Sequence, residues 1–128
     1  MQYLLDTHVL LWWITADKRL SPKSRALLKS HRNTLYWSVA SSWELSIKHA
    51  LGRLTFDEPP EALIPSELDK NRIETLVITN EHAFMTGRLP AHHRDPFDRL
   101  LVAQARIESL GIVSNDSKLS LYEVDVFW

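Results

Sequence analysis

Thr34-Leu35-Tyr36-Trp37-Ser38-Val39-Ala40-Ser41-Ser42-Trp43-Glu44-Leu45-Ser46-Ile47-Lys48-His49-Ala50-Leu51-Gly52 is the stretch that decides the fold. Thr34 to Trp37 is rich in β-formers, and Ala40, Trp43, Ile47, Ala50 and Leu51 then recur at helical spacing until Gly52. It reads as a strand feeding an amphipathic helix. The same unit recurs on either side. Tyr3-Leu4-Leu5 is a short apolar run that predicts a buried strand, stopped at Asp6-Thr7, where a helix through Ile14 can be capped. Ser21-Pro22 sets a capping residue before a proline at the first helical position and opens a helix to about Ser30. Pro59, Pro60 and Pro65 punctuate a middle segment that predicts a helix from about Glu61 to Lys70 and an extended piece at Leu76-Val77-Ile78. From Asp95 the pattern predicts a helix to about Leu110, with Gly111 as its stop, then a buried strand at Ile112-Val113 and a half-exposed strand through Tyr122, Val124 and Val126. Strands alternating with helices argue for an α/β fold whose parallel sheet is covered on both faces.

The 128 residues suit one globular domain over 1–128, and 45% hydrophobic with 24% charged residues is the balance of a folded chain. The absence of cysteine excludes disulfides and thiolate metal sites together. The longest apolar run, Val9 to Ile14, is far short of the roughly 20 residues that span a bilayer, and no charged leader precedes a cleavage-like site, so a cytoplasmic protein without membrane attachment is expected. A formal net charge of −1 neither demands nor excludes a nucleic-acid partner. Basic stretches at Lys18-Arg19, Lys23 to Arg32 and His92 to Arg99 either flank a site or simply form solvated faces.

Four acids stand where elements meet. Asp6 ends the first strand, Asp116 follows Val113 by three residues, Glu44 lies about two turns after the Thr34 to Trp37 strand, and Asp98 falls in the first turn of the last long helix. Parallel sheets bind ligands beyond the carboxyl ends of their strands, so Asp6, Glu44 and Asp116 point to one edge, and a fold that gathers them with Asp98 predicts a Mg²⁺ or Mn²⁺ site. Asp6 and Asp98 are expected to anchor the metal, with Glu44 and Asp116 holding its waters or a second ion. Each acid also has a local explanation. Asp6 can cap the helix at Thr7, Ser41-Ser42-Trp43-Glu44 matches a capping box, Glu44 with Lys48 is a favourable i, i+4 pair, and Asp116 can start a helix. Asp95, before Pro96, is the best pure cap, which leaves Asp98 to project past the helix end.

Substrate contacts are assigned to Thr7, Ser42 and Asn115, whose side chains can bond phosphate or water or else cap their own helices, and to Arg99, which can reach a phosphate or pair with a surface acid. His92 and His93 are expected on an exposed loop, because the metal route needs no imidazole. Trp12, Trp13, Trp37 and Trp43 lie within apolar elements and are expected in the core or a subunit interface; adjacent Trp12 and Trp13 cannot share a helix face, which suggests a homodimer contact. A phosphomonoesterase is disfavoured, because Asp6-Thr7-His8 lacks the second Asp of aspartyl-phosphate enzymes.

Tyr3-Leu4-Leu5-Asp6-Thr7-His8, Ser41 to Lys48 and Asp95-Pro96-Phe97-Asp98-Arg99-Leu100-Leu101-Val102-Ala103-Gln104-Ala105 together resemble the PIN domain of VapC-type toxins. Leu51-Gly52-Arg53-Leu54, Leu89-Pro90 and the closing Tyr122 to Trp128 segment resemble one subgroup of it. The resemblance implies a three-layer α/β/α fold with a central mostly parallel sheet. It also implies Mg²⁺- or Mn²⁺-dependent endoribonuclease activity on structured RNA, transfer or ribosomal, and a VapB-type antitoxin whose tail occupies the active-site groove. By position Asp6, Glu44 and Asp98 match its three central acids and Asp116 its more variable fourth. Ser114 stands where Thr is usual, two residues before that last Asp, and keeps a hydroxyl. The alternative is a non-catalytic interaction module on the same fold.

Overall fold

The computed structural model describes residues 1–128. Five strands, β1 (Gln2–Leu5), β2 (Thr34–Ser38), β3 (Ile73–Leu76), β4 (Gly111–Val113) and β5 (Val126–Phe127), form one sheet in the order β3-β2-β1-β4-β5. Every pairing is parallel. Six helices connect and cover them: α1 (Thr7–Ile14), α2 (Pro22–Lys29), α3 (Val39–Ala50), α4 (Pro60–Lys70), α5 (Asn80–Thr86) and α6 (Pro96–Glu108).

The pleat divides the apolar residues between two cores. Tyr3 and Leu5 of β1, with Leu35, Trp37, Ile73 and Val113 of its neighbours, pack under α1 to α4. Leu4 and Ile112 point the other way, into a cluster with Leu101, Val102 and Ala105 of α6. Period-2 alternation on strands this short therefore builds the three-layer arrangement that the sequence predicts. Gly111 sits at its tightest point. A Cβ there would lie 2.6 Å from the Phe127 ring and 3.2 Å from that of Tyr3. Gly111→Ala is expected to cost about 1–3 kcal/mol in overpacking, visible as a lower midpoint in urea.

Helix starts match the sequence reading well. Ser21 accepts from Ser24 N with Pro22 following, and Asp95 accepts from Phe97 N before Pro96. Helix α3 starts earlier than a capping box at Ser41 would require. Ser38 is its cap, so Glu44 lies in the second turn and is released from that role. Strand β3 ends at Leu76, where the predicted strand begins: register against β2 pairs Leu35 with Ile73, and Val77 is exposed. Helix α5 was not anticipated; Thr79 caps it in a box completed by His82 rather than by the usual Glu or Gln. Gly111 is the first residue of β4, and Ser109 ends α6 in the left-handed conformation at φ 57°. Tyr122 follows a 3₁₀ helix (Ser117–Leu121) and is buried, so only Val126-Phe127 reach the sheet. No helix is long and apolar enough to cross a membrane.

The tryptophans divide between core and surface. Trp43 is 57% exposed, resting edge-on against Phe97. Trp12 packs on Trp128, and the partly buried Trp13 donates from its indole to Asn71 Oδ1.

Candidate metal centre

β1 lies between β2 and β4, and the chain leaves it in opposite directions along the sheet, so the crevice beyond β1 and β4 is the topological switch point. Asp6 and Ser114, the residues just after those strands, meet there. The Ser114 hydroxyl donates to Asp6 Oδ2 at 2.6 Å, and Asp6 N donates to Val113 O. Asp6 occupies the N-cap position of α1, yet its carboxylate makes no capping bond. Asp6 is only 7% exposed, a costly place for a charge that the Ser114 hydroxyl offsets in part.

Glu44 enters from the second turn of α3. Its Oε1 lies 2.8 Å from Thr7 Oγ1, and its Oε2 accepts from Lys48 at 2.6 Å, so the i, i+4 pair is present. Thr7 Oγ1 also lies 2.7 Å from Ser41 Oγ. A carboxylate can only accept, so the single Thr7 hydrogen belongs to Glu44 and Ser41 supplies the other bond. Asp98 projects from the first turn of α6, as the capping arithmetic predicts. Burial pushes its carboxyl up to about 8, helped by the charges of Asp6, Asp95, Glu44 and Asp116. Burial also raises Asp6, an effect opposed by the Ser114 hydroxyl. Both shifts come first from burial, and the neighbouring acids add to it, most of all at Asp98. Asp116 caps the 3₁₀ turn through Lys118 N with one oxygen and presents the other to His93.

The remaining assignments separate. Thr7 joins the acids. Ser42 instead accepts from Trp37 Nε1 and lines a cleft of about 730 Å³ between α3 and α4. None of the four acids lines that cleft. Asn115 is exposed beside Asp116. The Arg99 guanidinium is committed to Thr86, Leu89, Pro90 and His93 carbonyls and to the Tyr122 hydroxyl. It clamps the loop between α5 and α6 and is not free to take a phosphate. Arg99→Ala strands those carbonyls and is expected to cost about 2–3 kcal/mol. Calorimetry should read that as a fall of roughly 10 °C in Tm, which Lys, a point charge, does not restore.

Sequence reasoning missed two contributors. Ser41 stands one turn before Glu44, so i, i+3 spacing already placed it on the same face. His93 was assigned to an exposed loop. Its side chain is only 13% exposed, and Nε2 lies 2.8 Å from Asp116 Oδ2 and 3.2 Å from Asp98 Oδ2. His92, by contrast, is exposed and meets the Tyr122 ring edge-on.

Asp6, Glu44, Asp98 and Asp116 offer only oxygen, the donor that a small hard cation prefers, and the ligand atoms of Asp98 and Asp116 lie with His93 Nε2 within 4.8 Å of one another. Residues 3–125 match the family model for the PIN domain. The chain belongs to the PIN domain family. Ribonuclease VapC16 of Mycobacterium tuberculosis is 32% identical over 66 residues, an alignment that takes in 52% of this chain and 45% of that relative. The chain thus matches under half the length of that PIN relative. Among solved structures, VapBC2 from Rickettsia felis, bound to a promoter DNA fragment, superposes with a TM-score of 0.73 at 19% identity, covering 99% of this chain and 98% of the other. DNA-bound VapBC from Salmonella typhimurium gives 0.69 at 18% identity, covering 99% and 97%. At such identities these likenesses establish the PIN fold, which the five-stranded parallel sheet shares.

Proposed function

We propose that this chain is a Mg²⁺- or Mn²⁺-dependent endoribonuclease, one PIN-like nuclease domain over 1–128, acting as the toxin of a VapBC-type toxin–antitoxin system in the cytoplasm. The observation that carries this reading is the convergence of Asp6, Glu44, Asp98 and Asp116 on the switch-point crevice, with Asp98 pushed up to about 8. The name of the VapC16 relative supports ribonuclease activity, and structured RNA, transfer or ribosomal, is the proposed substrate.

Asp6, Glu44, Asp98 and Asp116 would hold the cation. When bound, it supplies a water of lowered pKa for in-line attack on phosphorus and neutralises charge on the phosphate and the leaving oxygen. Ser114 and Thr7 orient the Asp6 and Glu44 carboxylates, since each donates one hydroxyl hydrogen to a fixed oxygen. Lys48, Arg53 and Arg94 line a shallow groove beside Glu44 and suit a phosphate backbone running past the acids.

Protein partners have support of their own. Val39, Trp43, Ile47 and Leu51 form an exposed apolar stripe at four-residue spacing along α3. Such a stripe suits a VapB-type antitoxin or the second subunit of a homodimer, and the VapBC complexes with this fold agree with the former.

The test is incubation of total cellular RNA with purified protein, followed by end-group analysis. Water attack predicts discrete fragments, formed only with divalent metal, that lack 2′,3′-cyclic phosphate. Binding without cleavage favours a non-catalytic module instead, and cyclic ends contradict the activated-water route.

A further inference from the structure

His93 is embedded in the acidic cluster, and its surroundings define what its ring can do. Its Nε2, Asp98 and Asp116 have ligand atoms within 4.8 Å of one another, a spacing that by itself would admit a nitrogen ligand to the cation. The other ring nitrogen decides against that. Asp95 N donates to His93 Nδ1 at 3.1 Å, so Nδ1 holds a lone pair and the hydrogen of the neutral ring sits on Nε2. A protonated Nε2 donates to carboxylates and has no lone pair for a metal.

The lock is well built. Asp95 is fixed as the cap of α6, His93 N donates to the Tyr122 hydroxyl at 2.6 Å, and Arg99 holds the His93 carbonyl. The backbone on both sides of the ring is therefore set by the same clamp that orders the α5–α6 loop.

We propose that His93 is a positioning residue: its Nε2–H donates to Asp116 Oδ2, with Asp98 Oδ2 3.2 Å from the same nitrogen, so the ring fixes the Asp116 carboxylate beside Asp98 for the divalent cation without joining the coordination shell. The inference rests on the reading that these two acids hold a metal. It assigns a role to an imidazole that the metal chemistry leaves idle, and it explains how two crowded carboxylates keep a fixed separation before the cation arrives. Histidines beside metal sites more often ligate and pass their second N–H outward to a carboxylate; here the ring is turned so that N–H faces the ligands themselves.

Three measurements test it. Long-range ¹H–¹⁵N correlation on the metal-free protein should report the Nε2–H tautomer for His93; an Nδ1–H ring overturns the proposal. Mn²⁺ titration by calorimetry should then show His93→Ala binding about tenfold or more weakly than wild type, the usual loss for an outer-shell partner. His93→Gln, whose side-chain amide can donate from near the Nε2 position, should recover most of that affinity. Thermal melts without metal separate this effect from misfolding, since a variant with native stability and weakened Mn²⁺ binding has lost only the orienting bond. Equal or tighter Mn²⁺ binding by a folded His93→Ala variant overturns the inference. Absence of binding by the wild type itself would overturn the metal reading beneath it, and would show in the control arm alone.

Discussion

Asp98→Asn should lower metal-dependent RNA cleavage about a thousandfold and, at pH 8.5 without metal, should melt at a higher temperature than wild type. The first effect follows from removing one anionic ligand from a site where the cation contributes several kcal/mol to the transition state; about 4 kcal/mol corresponds to three decades in rate. The second follows from linkage. The Asp98 carboxyl titrates at about 8 in the fold and near 3.8 unfolded, so between those values the folded state binds the extra proton. Stability from this group is complete below about pH 4 and is lost as pH rises through about 8. Asn keeps the shape, carries no charge and escapes that loss. Wild-type and variant melts should therefore differ least at about pH 4, diverge steadily above it, and differ most by pH 8.5. A variant that cleaves normally removes Asp98 from the site, and parallel melting curves at all pH values would show that its carboxyl is not strained.

A divalent cation should reverse the same penalty. Binding at a concentration a hundred times Kd stabilises by about 2.7 kcal/mol, which for a chain of this length raises Tm by roughly 10 °C. The rise should be larger at pH 8 than at pH 6, because the carboxylates must lose their protons to bind metal. Scanning calorimetry with millimolar Mg²⁺ or Mn²⁺, repeated after EDTA, checks both statements. A pH-independent rise would point to binding elsewhere on the surface.

How much of this was legible in the chain depends on the range of the interaction. Ser21-Pro22 and Asp95-Pro96 are caps whose chemistry is complete within four residues, and they start α2 and α6 as expected. The alternation of Tyr3, Leu4 and Leu5 likewise carries the two-faced sheet in three residues. β3 was displaced because its limits come from register with β2, a contact between residues about forty apart in sequence. His82 completes the α5 capping box in a role normally filled by Glu or Gln, so pattern reading passed over that helix.

The site divides the same way. The placing of the four acids at element ends follows from local patterns, whereas the strand order that brings those ends to one crevice is set by pairings between distant residues. Nor is what each neighbour does to them local. Arg99 looked like a phosphate ligand until the fold brought four backbone carbonyls around it. His93 looked like a loop residue because its partner Asp116 is 23 residues away, and only the return of β4 to the edge of β1 brings them into contact.

Cleavage of total cellular RNA by wild type and Asp98→Asn in parallel, with Mg²⁺, with Mn²⁺ and with EDTA, resolved on a sequencing gel, tests the central claim most directly. Discrete products in the wild-type metal lanes, absent from both the EDTA and the Asp98→Asn lanes, are the predicted result. Identical lanes for the two proteins, or cleavage that persists in EDTA, would contradict it.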